Sequence, residues 1–167
     1  MEPRLALIAE RWDRVTEYLV NAAHAVHPEK WDDPCPYPGW TYKDLLIHLA
    51  TGYTVRLAQL HDVLERGRLG PEPEVDAAIA GHIARHGRSS PDAVVEEMIQ
   101  QRSEVRRLLG LLRPEHLEAR STIDRPRDQA PREGPFVEAL QHYHEHDLEH
   151  AADLAPIMRW RVAPPEV

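Results

Sequence analysis

Apolar side chains recur at every third or fourth position in four long segments of this chain, and prolines hold the segments apart. In the first, Leu5, Ile8, Trp12, Val15, Leu19 and Ala23 follow at steps of 3, 4, 3, 4 and 4, the rhythm of one helix face. Pro3 suits a first helical turn, so a helix is predicted from Pro3 to about Val26. A second begins sharply at Thr41, where Thr41 and Asp44 approximate a capping box, and runs to about Gly70 with a stripe of Leu46, Leu49, Tyr53, Leu57, Leu60 and Leu64. Ser90 as N-cap and Pro91 after it start a third. It reaches about Leu112 and buries Val94, Val95, Met98, Arg102, Val105, Leu108, Leu109 and Leu112. The fourth starts near Gly134-Pro135, with Phe136, Ala139, Leu140, Tyr143, Leu154 and Ile157 as its core side. Pro156 removes a backbone donor and should kink or break it one to two turns beyond His150.

Period-2 alternation of Val, Ile and Thr is scarce, and Phe, Trp and Tyr make up only 6% of the chain. The fold class expected is therefore all-α, and the 167 residues suggest a single domain over 1–167. The connections differ in kind. In 27–40, Pro34, Pro36 and Pro38 force extended backbone, Gly39 permits a turn, and Trp31, Tyr37 and Trp40 are expected to pack this loop on a helix end. Between 70 and 90, a short helix from Val75 to His86 is expected. The stretch 113–135 holds four prolines and is too long for a simple bundle turn. It reads as a crossover, a lid or a locally disordered segment, with Arg120, Arg125, Arg127 and Arg132 solvated among acids.

Charge and cysteine content exclude several functions. Net charge is −8 and no basic cluster is present, which disfavours nucleic acid, whose affinity rests on Lys and Arg facing phosphates. No apolar run is long enough for a membrane span and no signal sequence is evident, so the cytoplasm is the expected location. A single cysteine, Cys35, rules out an internal disulfide and a cysteine-based zinc finger. No base or cation near it in the sequence suggests an activated thiol.

Histidines carry the chemical signal. Four of the eleven, His142, His144, His146 and His150, fall within nine residues of the last predicted helix. His146 and His150 are four apart on its core side, about one turn from each other, so both imidazoles can reach one ion. On spacing alone they either bind metal or hydrogen-bond each other, backbone or water. His144 is expected to point away, and His142 sits at the edge. Asp147, Glu149 and Asp153 either orient an imidazole or are helix-surface charge. His48 lies off the stripe of its helix, beside Leu45, Gly52 and Val55. It is either a surface or satisfied histidine, or a group pointing into room that Gly52 opens. His82 and His86 share the four-residue spacing, but flanking glycines and weak amphipathicity suggest a solvent-facing pair. His24 and His27 read as surface residues near a helix end.

Two motifs resemble the DinB-like and YfiT-like helical-bundle metal proteins, which include thiol-dependent transferases and the N-terminal domains of mycothiol-dependent maleylpyruvate isomerases. One is Trp31, Pro36, Pro38-Gly39-Trp40-Thr41, then Asp44-Leu45-Leu46-Ile47-His48-Leu49; the other is His146-Asp-Leu-Glu-His150. The resemblance implies a four-helix bundle with a long crossover before the last helix. It implies a divalent ion, Zn²⁺ or Ni²⁺, on His48, His146 and His150, with a slip to His142 and His146 as the alternative. It also implies a low-molecular-weight thiol as cofactor in several branches: bacillithiol, mycothiol or glutathione. One departure is Asp153, where many members carry Gln. The function implied is a metal-dependent transferase or hydrolase acting on a small molecule. The alternative is a non-catalytic or stress-associated bundle with a structural ion, which Asp153 would favour if it closed the site. Partners expected are a small-molecule substrate and, as an open option, a second copy of the chain; nucleic acid and membrane are not expected.

Overall fold

The computed structural model describes residues 3–69, 75–123 and 132–165, with the side chains of 75–79, 122 and 123 also left aside. Four long helices form the body: α1 (Pro3–Ala25), α2 (Tyr42–Arg66), α4 (Pro91–Leu109) and α6 (Phe136–Asp153). A shorter α3 (Val75–His86) packs on α2, and a single turn, α5 (Pro114–Leu117), follows α4. The fold is all-α, as the spacing implies, and the apolar faces of the long helices meet in one core. α2 packs on α4, and α1 packs on both α4 and α6. Leu5, Leu19, Leu45, Leu46, Leu49, Tyr53, Leu60, Met98, Leu108, Leu109 and Phe136 are almost wholly excluded from solvent.

Helix ends follow local chemistry. α2 stops at Arg66, short of the predicted end near Gly70, because Gly67 turns left-handed (φ 65°) and donates its N–H to the Val63 carbonyl at 2.9 Å. Ser90 caps α4 as expected, accepting from the Ala93 N–H. α6 ends at Asp153, and Pro156 lies in the 3₁₀ turn Ala155–Ile157 that follows, so the proline breaks the helix and does not bend it. Beyond this turn the chain pairs with the end of α1 through His27 N–H to the Ile157 carbonyl (3.1 Å) and Arg159 N–H to the Ala25 carbonyl (2.6 Å).

The connection before α6, expected as a crossover, a lid or a locally disordered segment, carries paired strands at its described ends. Arg120–Ile123 (β1) and Arg132–Pro135 (β2) form an antiparallel hairpin, Arg120 opposite Pro135 and Ile123 opposite Arg132. Two four-residue strands give no period-2 signal long enough to read. The Phe136 N–H then bonds the Ala119 carbonyl at 2.8 Å, which ties the first residue of α6 to the hairpin. Arg120 pairs with Glu133 at 2.5 Å, and Arg132 pairs with Glu138, so both are surface ion pairs. Arg125 and Arg127 lie outside the described residues. No helix among the described residues is long and apolar enough to cross a membrane.

Candidate metal centre

The loop before α2 and the first turn of that helix are locked together. A helix start leaves its first N–H groups unsatisfied, and here each finds an acceptor. Tyr42 N–H bonds the Asp33 carbonyl (3.1 Å), Lys43 N–H the Trp31 carbonyl (2.9 Å) and Asp44 N–H the Thr41 hydroxyl (3.1 Å). The Asp44 carboxylate accepts in return from the Thr41 N–H at 2.9 Å, completing the capping box the sequence suggests. Within the loop, Cys35 N–H bonds the Trp40 carbonyl and Trp40 N–H bonds the Tyr37 carbonyl, closing a tight turn around Gly39 at φ 81°. L-residues rarely adopt that dihedral. The turn brings Trp40 against His48 of α2 and Tyr37 against His150 of α6.

Three imidazoles converge beneath this loop. The Nε2 atom of His146 lies 3.3 Å from that of His48 and 3.1 Å from that of His150. The rings of His48 and His150 are 4.9 Å apart between centroids and nearly perpendicular, at 86°. One ligand atom from each residue falls within 4.8 Å of the others. The three residues named from the sequence are therefore brought together, from α2 and from two successive turns of α6.

Partners at the outer nitrogens orient two of the three. His146 Nδ1 faces Asp147 Oδ1 at 3.3 Å. His150 Nδ1 meets the Tyr37 hydroxyl at 3.0 Å and Asp153 Oδ2 at 3.5 Å, and the same hydroxyl donates to Asp153 Oδ2 at 2.7 Å. Acceptors at Nδ1 favour the tautomer that leaves the Nε2 lone pair directed inward. His48 Nδ1 is buried with no hydrogen-bond partner among the described residues, and Trp40 lies against the His48 ring, 5.4 Å between centroids. Burial, followed by repulsion from His146 and His150, pushes the His48 imidazole down to about 3. His150 is lowered first by burial and then by His146. Both are thus neutral, the form that ligates, at ordinary pH.

This donor set fits a divalent ion. His146 Nε2 carries one lone pair or one proton, so it cannot satisfy both neighbouring nitrogens at once, whereas a cation among them satisfies all three. Metal–nitrogen bonds of about 2.0–2.1 Å imply N···N edges of about 3.4 Å in a tetrahedron and about 3.0 Å in an octahedron. The observed 3.1 and 3.3 Å lie in that range and favour neither geometry.

Other histidines and acids separate cleanly. His142 is half-buried beside Glu145, 3.9 Å away, and takes no part in the cluster, so the one-turn slip does not match the geometry. His144 does not point away from the core. It is 5% exposed and stacks edge-on to Trp12, and burial lowers it to about 4. Glu149 is exposed. Asp153 is turned to the Nδ1 side of His150, away from the converging nitrogens. Cys35 is half-buried, and burial raises its thiol, which agrees with an ordinary loop cysteine.

A buried ion pair under the cluster escaped the sequence reading. Arg56 is 2% exposed and grips Asp147 with both terminal nitrogens, Nη1 to Oδ2 at 2.7 Å and Nη2 to Oδ1 at 2.6 Å. Its guanidinium lies 4.9 Å from the Trp12 ring centre, 5.2 Å from Tyr53 and 4.8 Å from Tyr143. Burial opposes the Asp147 charge, but Arg56 and His146 outweigh it and hold the carboxyl well below its usual range. Asp147 is consequently neither surface charge nor a bystander, because it joins His146 to Arg56. Gly52 makes room for this arginine and not for His48: a Cβ there would stand 3.4 Å from the guanidinium carbon. The signal lay in the sequence, since Arg56 is three residues beyond Tyr53 and four before Leu60, on the buried stripe itself.

Known proteins place this architecture. A solved mycothiol-dependent maleylpyruvate isomerase is similar, with a TM-score of 0.73 at 17% identity over 90% of this chain and 60% of that one. A mutant of a mycothiol-dependent maleylpyruvate isomerase matches with a TM-score of 0.71. The chain thus spans about three fifths of the isomerase's length. YfiT from Bacillus subtilis, described as a probable metal-dependent hydrolase with an unusual four-helix bundle topology, superposes with a TM-score of 0.71 at 16% identity, covering 94% of this chain and 87% of that one. No curated protein matches the sequence. The family model of the mycothiol maleylpyruvate isomerase N-terminal domain matches residues 12–155. The chain belongs to that family.

Proposed function

We propose that this protein is a metal-dependent enzyme acting on a small molecule, with His48, His146 and His150 as the ligands of a divalent ion and a low-molecular-weight thiol as co-substrate. The carrying observation is the convergence of three imidazole Nε2 atoms, two of them oriented by partners at Nδ1, without a carboxylate or thiol among them in the described residues. Three neutral protein ligands suit Zn²⁺ or Ni²⁺ and leave a coordination position free. An ion held there would supply Lewis acidity, acidifying a thiol or a water. The chain's own groups then have distinct tasks. Asp147 orients His146, and Arg56 keeps Asp147 ionised. Tyr37 and Asp153 orient His150, and Trp40 shields His48 from solvent. The reading of Asp153 as a closing ligand loses support from its bond to Tyr37 and its place at Nδ1. That weighs against a purely structural ion. The names of the similar isomerase and hydrolase support a transfer, isomerisation or hydrolysis on a small molecule.

Metal analysis of purified protein, then thermal shift of the metal-free protein with Zn²⁺, Ni²⁺ and mycothiol, bacillithiol or glutathione, tests this. His48→Ala or His150→Ala should lower the divalent-ion stoichiometry by one, and a thiol should add a further shift only to the loaded protein. Metal content unaffected by either substitution refutes the ligand assignment. A loaded protein indifferent to every thiol refutes the co-substrate.

A further inference from the structure

A second cluster of ligand-type side chains lies between α3 and α4. The sequence suggests a solvent-facing pair at His82 and His86, but His82 is only 5% exposed, and its Nδ1 is buried without a hydrogen-bond partner among the described residues. His86, one turn on, stands with Nε2 3.5 Å from Glu97 Oε2 of α4. One ligand atom from each of the three residues lies within 4.8 Å of the others. Glu97 is held in place: Gln101 Nε2 donates to its Oε1 at 3.0 Å and also reaches Thr54 Oγ1 of α2 at 3.0 Å. That leaves Oε2 turned to His86.

We propose that His82, His86 and Glu97 form a second divalent-cation site, distinct in residues and helices from the cluster at His48. The separation of His86 and Glu97 is longer than a good N–H···O hydrogen bond, about 2.7–3.2 Å. It matches the edge of a tetrahedron built on metal bonds near 2.0–2.2 Å, about 3.4 Å. His82 Nδ1 otherwise has no hydrogen-bond partner among the described residues, and a buried polar atom left unpaired is costly. Two imidazoles and one carboxylate suit Zn²⁺ with water in the fourth position. His86 and Glu97 are both partly exposed, so that water has access. The ion would cross-link α3 to α4, whereas α3 otherwise packs chiefly on α2.

Zn²⁺ stoichiometry of the chelator-stripped full chain tests the site. Wild type should bind two ions, one for each cluster, and His86→Ala/Glu97→Gln should bind one. The His48→Ala/His146→Ala/His150→Ala variant should keep one, with amide exchange in α3 slowed by Zn²⁺, and lose it when His86→Ala/Glu97→Gln is added. Retention of that ion after the addition overturns the proposal, as does a triple variant of native helicity that binds none. Wild-type stoichiometry unchanged by His86→Ala/Glu97→Gln likewise overturns it. If wild type and triple variant both bind a single ion that His86→Ala/Glu97→Gln removes, this site stands and the reading of the first cluster falls.

Discussion

Arg56 and Asp147 offer the sharpest separation between stability and metal binding. In Arg56→Met the Asp147 carboxylate, 2% exposed, loses both guanidinium bonds and, among the described residues, keeps the 3.3 Å contact from His146. Breaking a buried pair by removing one partner costs about 3–5 kcal/mol. The loss of three aromatic neighbours around the guanidinium adds to this. For a chain of this length, 1 kcal/mol moves Tm by about 2–4 °C, so the expected fall is about 6–20 °C. Arg56→Met/Asp147→Leu removes both charges and should be more stable than Arg56→Met alone, because hydrophobic replacement of a whole buried pair is often neutral. Metal binding should behave differently. The double variant still deprives His146 Nδ1 of its acceptor, and loss of such a partner weakens affinity about 10–100-fold. Urea unfolding in excess chelator measures the first quantity, since a bound ion would add its own stabilisation. Competition with a chromophoric chelator measures the second. A double variant less stable than Arg56→Met refutes the account of the pair. A double variant that binds Zn²⁺ as tightly as wild type refutes the role given to Asp147.

Three further outcomes are expected. Tyr37→Phe keeps the ring but removes the hydroxyl shared by His150 and Asp153; Zn²⁺ affinity should fall about 10–100-fold, read by the same competition, with helicity unchanged. His144 is neutral when folded to about pH 4, while the unfolded imidazole takes up a proton below about 6.5. The unfolded state therefore binds more protons in that window. Stability conferred by neutral His144 is full above pH 6.5 and is lost as pH falls toward 4, by about 3 kcal/mol; urea titrations at pH 7 and 4.5 should show a smaller loss in His144→Leu than in wild type. Gly39→Ala places a Cβ at φ 81° and should cost about 1–2 kcal/mol, seen as a lower urea midpoint with unchanged slope.

Much of the framework was legible because it rests on local rules. The 3–4 spacing, the Thr41–Asp44 box and the Ser90 cap each act within one or two turns. The long helices begin where the sequence places them, and α2 ends early only because Gly67 intervenes. The clustered histidines were legible for a different reason. His146 and His150 stand one turn apart on one helix face, but His48 is tied to them by resemblance, since its own wheel position is ambiguous. Arg56 drew no expectation, and Asp147 stayed open between orienting an imidazole and surface charge, because only their meeting across α2 and α6 makes burial of either tolerable. His144 went astray similarly: a wheel centred on His146 leaves it outside, yet Trp12 of α1 approaches from that side. His82 was hidden by flanking glycines that weaken the helical signal without deciding what packs on the imidazole.

The buried pair also fixes the electrical character of the centre. Imidazoles that hold an ion do so uncharged, and Asp147 is already neutralised by Arg56, so among the described residues the carboxylate left beside the cluster to answer a divalent cation is Asp153, itself drawn toward Tyr37. A site loaded with such an ion keeps about one unanswered positive charge in surroundings shielded by Tyr37 and Trp40. That surplus prefers an anion over a neutral molecule. The arginine beneath the ligands would thus select for thiolates and carboxylates at a position it never touches.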